Sequence, residues 1–377
     1  MRIVFFAETF LPATDGVVTR LRYTIEELQK MGDEMLVIAP RYGHGPGSYM
    51  GVPIHRVAAV PLPVYPQFML APTNLGVGKA LRSFRPDLIH AVNPFILGWG
   101  APLYARRLRV PLVASYHTNV ATYAGYYGLG RFNSLTRRYT RWLHNKADIN
   151  LCTSEATRVH LKKEGIERVC LWPQGVDTQR FRPDRYSEKR RAKLSAGHPE
   201  DRLLIYVGRL GREKGIGSLK AILGRVSGAR LVIVGDGPAR RELERKFAGT
   251  PTVFAGLLHG KQLARAYASA DVFVFPSTTE TLGMAMIEAL SSGLPVIAAR
   301  SGATHEVVED GRTGILYDPG SEDSLVSAVR KLTSDFELHE RFSLAARASA
   351  EQRGWDNATR TLRGYYETAL RTGASVA

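Results

Sequence analysis

The chain has 377 residues, of which 44% are hydrophobic and 23% charged, and its formal net charge is +16. This length predicts two domains rather than one core, and the composition excludes a disordered protein. Two cysteines in apolar, strand-like runs, Cys152 and Cys170, exclude a disulfide framework and favour a reducing compartment. The apolar runs are too short to span a bilayer, which predicts a cytoplasmic protein or one held at a membrane surface.

The positive charge is concentrated in one part of the chain. Residues 35–147 contain 13 basic side chains and a single acidic one, Asp87. Such a block attracts polyanions, either nucleic acid or anionic lipid. The sequence contains no nucleic-acid motif and no repeated aromatic–basic platform, so an anionic membrane surface is favoured. A basic nucleic-acid-binding protein on a doubly wound scaffold is the alternative of another class.

Residues 1–174 read as strands alternating with helical stretches. The predicted strands are Ile3–Phe6, Met35–Ala39, Ile54–Val60, Leu88–Ala91, Leu112–Ser115, Ile149–Cys152 and Val169–Leu171. Short, almost continuously apolar strands of this kind indicate a parallel sheet that is covered on both faces. The opening residues are interpreted as the first buried strand rather than as a signal peptide.

A second alternating set follows a stretch rich in proline, glycine and charge at residues 172–202, which is typical of an interdomain connection. Its predicted strands are Leu203–Val207, Arg230–Val234, Val253–Ala255, Val272–Phe275, Pro295–Ala299 and Gly314–Leu316. Two such α/β domains in tandem predict a cleft between them, with ligands beyond the carboxyl ends of the strands. The last residues are helical in pattern.

Two loops of the first domain have residues suited to a ligand. In TFLPATDGVVTRL, Gly16 begins a helix, where backbone N–H groups attract phosphate. In SYHTN, His117 follows a buried strand and could bind a polar ligand group. The alternatives are an ordinary strand-to-helix turn for Gly16 and a histidine that packs within its own loop for His117.

Two loops of the second domain also follow predicted strands. In GRLGREKG, Arg209 and Lys214 flank a helix start, and two cations there suit a diphosphate. The sequence lacks the GxxxxGK[ST] pattern of a P-loop. In VGDGP, Gly237 would let the backbone approach a ribose or a flat ring. A solvated basic turn is the alternative for the first loop, and the second is unremarkable by itself.

The segment FPSTTETLGMAMIEALSSG contains two glutamates eight residues apart, Glu280 and Glu288. We predict a strand, a polar turn and then a helix that starts near Leu282. Two helical turns bring both carboxylates to nearly the same side, where they could bind one ligand. For an isolated pair, ordinary solvated glutamates are the more common case.

The segment RFNSLTRRYTRWLHNK, residues 131–146, has aromatic and aliphatic side chains at helical spacing with basic residues among them. It could form a helix at a membrane interface, and the candidate contacts are Arg137, Arg138, Arg141 and Trp142. The alternative is an amphipathic helix that buries Trp142 in the domain core.

Taken in order, TDG, SYHT, GRLGREKG, VGDGP and E-x7-E followed by EALSSGLPV resemble the motifs of the retaining glycosyltransferases of family 4. The resemblance covers nearly the whole chain. It implies the α/β GT-B fold: two Rossmann-like, doubly wound domains with a cleft between them and a C-terminal helix that crosses back. The expected domains are 1–174 plus about 356–377, which would face the acceptor and the membrane, and 175–355, which would bind the nucleotide sugar.

The resemblance also assigns roles to residues. Arg209 and Lys214 would bind the donor diphosphate, Glu280 the sugar and Glu288 the ribose, and His117 would contact the sugar near C6. The other donor-binding candidates are Gly16, Gly237, Thr281, Leu282 and Gly283. Catalysis in this family needs no metal and no cofactor besides the nucleotide sugar, and it retains the anomeric configuration. Many members have Gly-Gly where this chain has Asp15-Gly16.

A narrower resemblance is to cyanobacterial and plant sulfoquinovosyltransferases, which move sulfoquinovose from its UDP form to diacylglycerol. It rests on SYHTNVATY, LWPQGVDTQRFRP and STTETLGMAMIEALSSGLPVIAARSG. The sulfonate at C6 would then need donors near His117, and the candidates are Tyr116, Thr118 and Asn119. The expected location is the cytoplasmic face of a membrane, such as the thylakoid. A GDP-mannose-dependent lipid mannosyltransferase and a sugar-nucleotide sensor without turnover remain as alternatives.

Overall fold

A computed structural model describes residues 1–43, 45–62, 65–117, 133–279, 283–302 and 304–373. The chain divides into two compact units, one made of Met1–Gln174 with Trp355–Ala377 and the other of Gly175–Gly354.

The first unit alternates strands and helices. Its strands are β1 (Arg2–Ala7), β2 (Glu34–Pro40), β3 (Ser48–Tyr49), β4 (Val52–Val57), β5 (Val60–Leu62), β6 (Tyr65–Leu70), β7 (Leu88–Val92), β8 (Leu112–Tyr116), β9 (Ile149–Cys152) and β10 (Val169–Leu171). Its helices are α1 (Gly16–Lys30), α2 (Leu75–Phe84), α3 (Gly100–Leu108), α4 (Asn133–His144) and α5 (Glu155–Lys163).

The main sheet of this unit has the strand order β10-β9-β8-β7-β1-β2-β4-β3, and all pairs are parallel except β3 with β4. Alternate residues of β1 enter different cores, with Ile3 and Phe5 on one side and Val4 and Phe6 on the other. The sheet is therefore covered on both faces, as the apolar strands predict. The chain reverses its order of addition between β1 and β7, and that point is where ligands of open α/β sheets bind.

The last helix of the chain, α14 (Trp355–Gly373), belongs to the first unit. Leu362, Tyr366 and Ala369 join the core that contains Ile3 and Phe5. Its Arg363 pairs with Asp33, whose carboxylate also binds the N-terminal ammonium group at 2.7 Å. The predicted return of the C-terminal helix to the first domain is confirmed.

The second unit has its own set of elements. Its strands are β11 (Arg202–Val207), β12 (Ala229–Val234), β13 (Thr252–Gly256), β14 (Val272–Phe275), β15 (Val296–Ala299) and β16 (Gly314–Tyr317). Its helices are α6 (Glu188–Leu194), α7 (Lys220–Leu223), α8 (Arg240–Lys246), α9 (Gly260–Ala268), α10 (Met284–Ser291), α11 (Thr304–Val307), α12 (Glu322–Ser334) and α13 (Phe336–Glu351).

The sheet of the second unit is parallel throughout, with the order β13-β12-β11-β14-β15-β16. Its reversal point lies between β11 and β14. The loops that follow these two strands carry GRLGREKG and FPSTTETLG, so both motifs start at the ligand edge of the sheet.

Three local predictions differ from the structure. The strand predicted at Ile54–Val60 ends at Val57, and Val60 begins a separate antiparallel hairpin of β5 and β6. Apolarity continues through this break, but Pro61 cannot donate to a sheet ladder. Between β2 and β4 the chain forms the short strand β3 rather than a predicted helical stretch, because glycines and prolines interrupt RYGHGPGSYMG. Helix α10 starts at Met284 instead of near Leu282.

Among the helices that the structure describes, none combines the length and the apolar character that a membrane span requires.

Candidate functional site

The loops after β11 and β12 are joined by backbone hydrogen bonds. The Leu210 N–H donates to the Asp236 carbonyl at 2.9 Å, and the Ala239 N–H donates to the Leu210 carbonyl at 2.9 Å. These bonds bring GRLGREKG and VGDGP together at the carboxyl edge of the second sheet. They also fix the backbone from which Arg209 and Lys214 project.

The glycines of VGDGP serve this junction of loops. A Cβ on Gly235, whose φ is +135°, would lie 1.9 Å from the carbonyl oxygen of Gly208. One on Gly237 would lie 2.6 Å from the carbonyl oxygen of Leu210. Both distances are far below contact, so each position requires glycine because another loop passes there. The sequence interpretation of Gly237 as an approach to ribose thus has a packing explanation, and its contact with a donor stays a prediction.

Arg209 and Lys214 lie on either side of a short 3-10 turn, Arg212–Lys214. The guanidinium of Arg209 forms an ion pair with the carboxylate of Glu213, whose side chain is only 1% exposed. Glu213 therefore holds the arginine in place from beneath, while 24% of the Arg209 side chain remains exposed. Lys214 is 9% exposed. Two cations placed at a strand-to-helix turn can stabilise the negative charge of a diphosphate.

The loop after β14 meets this turn. A Cβ on Gly215 would lie 3.3 Å from the carbonyl oxygen of Pro276, and Thr279 donates from its hydroxyl to the Glu213 carbonyl at 3.5 Å. Glu280, Thr281 and Leu282 lie outside the described residues. Gly283, the next residue, adopts a left-handed conformation (φ 62°) and caps the N-terminus of α10.

Glu288 lies on α10 beside a buried tyrosine. The hydroxyl of Tyr267, which is fully buried, donates to Glu288 Oε2 at 3.0 Å. Burial raises the pKa of Glu288 to about 7, against the lowering effects of the Tyr267 hydrogen bond and the nearby Arg180. When it is ionised, such a carboxylate can accept hydrogen bonds from ribose hydroxyls on both oxygens, whereas the protonated acid keeps only part of that acceptor capacity.

At the reversal point of the first sheet, a buried carboxylate ties two loops together. Glu8 follows β1, and its carboxylate accepts hydrogen bonds from the N–H groups of Phe95, Leu97 and Gly98 after β7 at 2.6, 3.2 and 2.8 Å. Burial raises the pKa of Glu8 although these N–H groups oppose the effect. No motif of the sequence indicates this role of Glu8.

Gly16 is the first residue of α1, as predicted, and Asp15 is the N-cap. The Asp15 carboxylate accepts a hydrogen bond from the Val18 N–H at 2.8 Å. An acidic side chain thus already satisfies part of the helix N-terminus at which a phosphate was predicted to bind. The role of Gly16 toward a donor stays a prediction.

His117 is buried directly after β8. Its Nε2 lies 2.8 Å from the Ser115 hydroxyl oxygen, its N–H donates to the Asn93 side chain at 3.1 Å, and its ring packs edge-on to Trp172. Burial and the charge of Arg20 lower its pKa well below the usual histidine value. His117 is therefore a neutral imidazole, which can donate one hydrogen bond and accept another.

The three sulfonate candidates divide into two groups. Thr118 and Asn119 lie outside the described residues. Tyr116 points away from Ser115 and His117, since strand residues alternate in direction, and its ring lies in an apolar cluster with Leu161, Ile166 and Val169. The structure therefore places Tyr116 in the core, and the prediction that it binds a sulfonate is wrong for this reason.

Arg20 is a buried cation that no motif of the sequence indicates. Its guanidinium lies 3.7 Å from the centre of the Trp172 ring, and one nitrogen donates to the carbonyls of Trp172 and Pro173 at 2.9 and 2.7 Å. Within the described residues, its Nε and Nη1 have no hydrogen-bond partner and no carboxylate pairs with it. Burial lowers its pKa to about 9, so it remains charged at neutral pH.

Helix α4 presents the predicted basic residues to solvent. Arg137, Arg138 and Arg141 are exposed, Trp142 is 44% exposed, and the neighbouring Leu143 is fully buried. The alternative in which Trp142 fills the domain core is therefore wrong, because the helix turns Leu143 inward instead. The exposed arginines border a shallow depression of about 450 Å³ that also contains Ser134 and Glu164.

Among the described residues, one group has side chains close enough to share a metal ion: His198, Glu200 and Asp201. It precedes β11 and so lies at the amino end of the sheet, opposite the edge that carries Arg209 and Lys214. Asp201 is also engaged by Arg230 at 2.6 Å. This group does not contribute to the candidate site.

Comparison with known proteins agrees with this architecture. Residues 14–180 match the family described as Glycosyltransferase Family 4, and residues 201–335 match Glycosyl transferases group 1. Sucrose-phosphate synthase from Thermosynechococcus elongatus has a similar structure (TM-score 0.83, 20% identity, 98% of this chain and 99% of that one). Anabaena HepE, solved in complex with UDP-glucose, is also similar (TM-score 0.79, 20% identity, 98% and 100% covered). The fold is that of the GT-B glycosyltransferases.

Curated relatives are similar over most of the chain. The sulfoquinovosyl transferase of Arabidopsis thaliana is 38% identical over 98% of this chain and 74% of its own length. A GDP-mannose-dependent alpha-mannosyltransferase of Mycobacterium tuberculosis is 40% identical, with 97% and 96% covered. An alpha-monoglucosyldiacylglycerol synthase of Streptococcus pneumoniae is 28% identical, with 94% and 84% covered. The chain belongs to glycosyltransferase family 4, and it is a glycosyltransferase.

Replacing Lys214 by alanine should lower kcat/KM for sugar transfer. A hydrogen bond to a charged phosphate contributes about 1.5–3 kcal/mol, which corresponds to a loss of roughly ten- to 150-fold. Lys220→Ala is the matched control, because Lys220 is exposed on the adjacent helix α7. Steady-state kinetics with both variants tests this prediction. A Lys214→Ala enzyme that is as active as the control contradicts the role of Lys214 at the diphosphate.

Donor binding should strengthen as the pH rises through about 7. Below the raised pKa of Glu288 its carboxyl group is protonated and accepts fewer and weaker hydrogen bonds, and above that pKa it is ionised. Titration calorimetry with UDP-sulfoquinovose and with GDP-mannose can measure this, because the diphosphate groups of both donors stay ionised over the whole pH range of the test. Glu288→Gln should bind more weakly and remove the pH dependence near neutrality, and an unchanged pH profile in that variant would rule out the role.

Proposed function

We propose that this glycosyltransferase transfers sulfoquinovose from UDP-sulfoquinovose to diacylglycerol, with retention of configuration and without a metal ion. Two of the relatives support parts of this proposal, because one is a sulfoquinovosyl transferase and another is named for glucosyldiacylglycerol. Identity does not select the sugar, since the mannosyltransferase relative is as similar as the sulfoquinovosyl transferase.

The observation that carries the choice of an anionic sugar is the buried charge of Arg20. The guanidinium and His117 contact the same Trp172 ring, and the positive charge of Arg20 lowers the pKa of that histidine. A cation without a carboxylate partner in the described part of the chain stabilises an anion brought near it, and low polarity strengthens the attraction. The sulfonate at C6 of sulfoquinovose is such an anion, whereas mannose and glucose have a neutral hydroxyl there.

In the proposed reaction, the residues of the second unit act on the nucleotide. Arg209 and Lys214 stabilise the charge that grows on the diphosphate as it leaves, Glu288 binds the ribose, and Glu280 binds the sugar. The stabilisation by Arg209 and Lys214 is electrostatic catalysis. The acceptor attacks on the face that the diphosphate leaves, and the leaving group takes the acceptor proton. Buried, neutral His117 orients the sugar near C6.

Transfer from GDP-mannose to a lipid is the second candidate, and the mannosyltransferase relative, 40% identical over nearly all of both chains, favours it. This candidate uses the same diphosphate and ribose contacts and differs at the base and at C6 of the sugar. It gives the buried Arg20 no ligand.

Radiolabelled UDP-sulfoquinovose, UDP-glucose and GDP-mannose should be compared with diacylglycerol in mixed micelles. We expect turnover with UDP-sulfoquinovose, and a kcat/KM at least ten times lower with UDP-glucose, which has the same base but no anionic group. Arg20→Met should remove this preference more than it lowers the rate with UDP-glucose. Turnover with GDP-mannose alone would overturn the proposal and support the second candidate.

We also propose that helix α4 binds the enzyme to anionic membranes. Its exposed Arg137, Arg138, Arg141 and Trp142 combine positive charge with an aromatic side chain suited to the interface. Leu135 on the same helix is 65% exposed, which adds apolar surface. Basic residues near an anionic bilayer contribute about 1 kcal/mol each.

Replacing Arg137, Arg138 and Arg141 together by glutamine should weaken binding to vesicles that contain anionic lipid, by about 100-fold if each charge contributes about 1 kcal/mol. Cosedimentation with vesicles measures this. Turnover of a micellar acceptor should change much less. The control replaces Arg241, Arg245 and Arg330, three exposed arginines of the second unit. Equal losses of vesicle binding in both triple variants would contradict a specific role for α4.

A further inference from the structure

A buried chain of hydrogen bonds connects the C-terminal helix to His117. The Tyr366 hydroxyl on α14 lies 2.6 Å from His90 Nδ1. His90 Nε2 lies 2.8 Å from the Ser115 hydroxyl, which in turn lies 2.8 Å from His117 Nε2. All four side chains are at most 1% exposed. The chain joins residues separated by up to 276 positions in the sequence.

Both imidazoles in this chain are neutral. Burial and the charge of Arg20 lower the pKa of His90 to about 3 and that of His117 well below its usual value. A neutral imidazole has one N–H donor and one nitrogen acceptor. Each histidine therefore adopts one of two tautomers, and the partners of its ring nitrogens determine which one.

The hydroxyl hydrogens determine in which direction the hydrogen bonds between Tyr366 and His117 are donated. Within the described residues, Tyr366 has no acceptor for its hydroxyl hydrogen except His90 Nδ1. A buried hydroxyl that fails to donate costs about 1–3 kcal/mol. Tyr366 thus donates to His90 Nδ1, and the proton of His90 is on Nε2, which donates to the Ser115 oxygen. Ser115 then donates its own hydrogen to His117 Nε2.

The reverse direction leaves the hydrogen of Tyr366 without an acceptor in the described part of the chain. If both histidines donate to Ser115, the hydroxyl hydrogen of Ser115 is left without an acceptor. The reason is that, in the described part of the chain, the Ser115 hydroxyl contacts only these two histidines. Only the direction from Tyr366 to His117 satisfies every hydroxyl.

We propose that Tyr366, through His90 and Ser115, holds His117 in the tautomer protonated on Nδ1. His117 then offers a hydrogen-bond donor to a ligand, and it does not act as a general base. The group that it selects is an acceptor oxygen, such as that of a sugar hydroxyl or a sulfonate. Tyr366, His90 and Ser115 are positioning residues. Ser115 belongs to the SYHT motif, whereas His90 and Tyr366 lie outside the motifs of the sequence.

The functional consequence rests on the proposed contact of His117 with the donor sugar, but the tautomer does not. It can be measured in the full-length protein without any substrate. Long-range proton–nitrogen correlation spectra of protein labelled with ¹⁵N-histidine distinguish the two neutral tautomers and the imidazolium. The variants His90→Asn and His117→Asn identify the two sets of signals by their loss.

We expect His90 to be protonated on Nε2 and His117 on Nδ1 at neutral pH. In Tyr366→Phe the His117 signals should shift toward a mixture of tautomers, and the KM for the nucleotide sugar should rise several-fold. The matched control is Tyr365→Phe. Tyr365 lies on the same helix, but its hydroxyl donates to the Leu171 carbonyl and takes no part in the hydrogen bonds between Tyr366 and His117. That variant should leave both histidines unchanged.

A wild-type His117 that is protonated on Nε2 or charged would overturn the proposal, whatever the sugar proves to be. Unchanged tautomers in a folded Tyr366→Phe variant would overturn the part assigned to Tyr366. If the tautomers are as expected while the KM of Tyr366→Phe stays normal, the role of the hydrogen bonds in setting the tautomer is supported and the contact of His117 with the sugar is contradicted.

Discussion

In the second unit the backbone at Gly235 passes so close to Gly208 that a side chain could not fit between them, since a Cβ would lie 1.9 Å from a carbonyl oxygen. This contact, with the hydrogen bonds from Leu210 and Ala239, locks the loops after β11 and β12 into one backbone platform. Arg209 projects from that platform with Glu213 beneath it. Arg209 is therefore held in position by contacts within the protein. Under the proposed function, this lowers the cost of binding a diphosphate and of stabilising its charge.

The first unit differs from the second in that it buries charged and polar groups near the ligand edge of its sheet. Arg20 stacks on Trp172, and the chain from Tyr366 reaches His117 on the edge of the same ring. Burying a cation costs several kcal/mol unless something compensates. An anionic ligand and the face of an aromatic ring both compensate. The C-terminal helix takes part because the Tyr366 hydroxyl lies 2.6 Å from His90 Nδ1. Its return to this unit thus adds a buried hydrogen bond to His90 as well as apolar packing.

The sequence predicts most of the fold, because apolar runs and strand–helix alternation report a buried parallel sheet directly. It also predicts which motifs begin at the carboxyl ends of strands, such as Arg209 after β11. It fails where partners are distant in the chain: nothing near Tyr366 reports that its hydroxyl meets His90, and nothing near Arg20 reports Trp172. Tyr116 fails for a local reason, since a strand residue next to His117 points to the opposite face.

A structure with bound UDP-sulfoquinovose tests the central claim most directly. The account predicts diphosphate oxygens on Arg209 and Lys214, ribose hydroxyls on Glu288, and a sulfonate oxygen that accepts a hydrogen bond from Nδ1 of His117. A sulfonate that points into solvent, or a diphosphate bound away from Arg209 and Lys214, would contradict it.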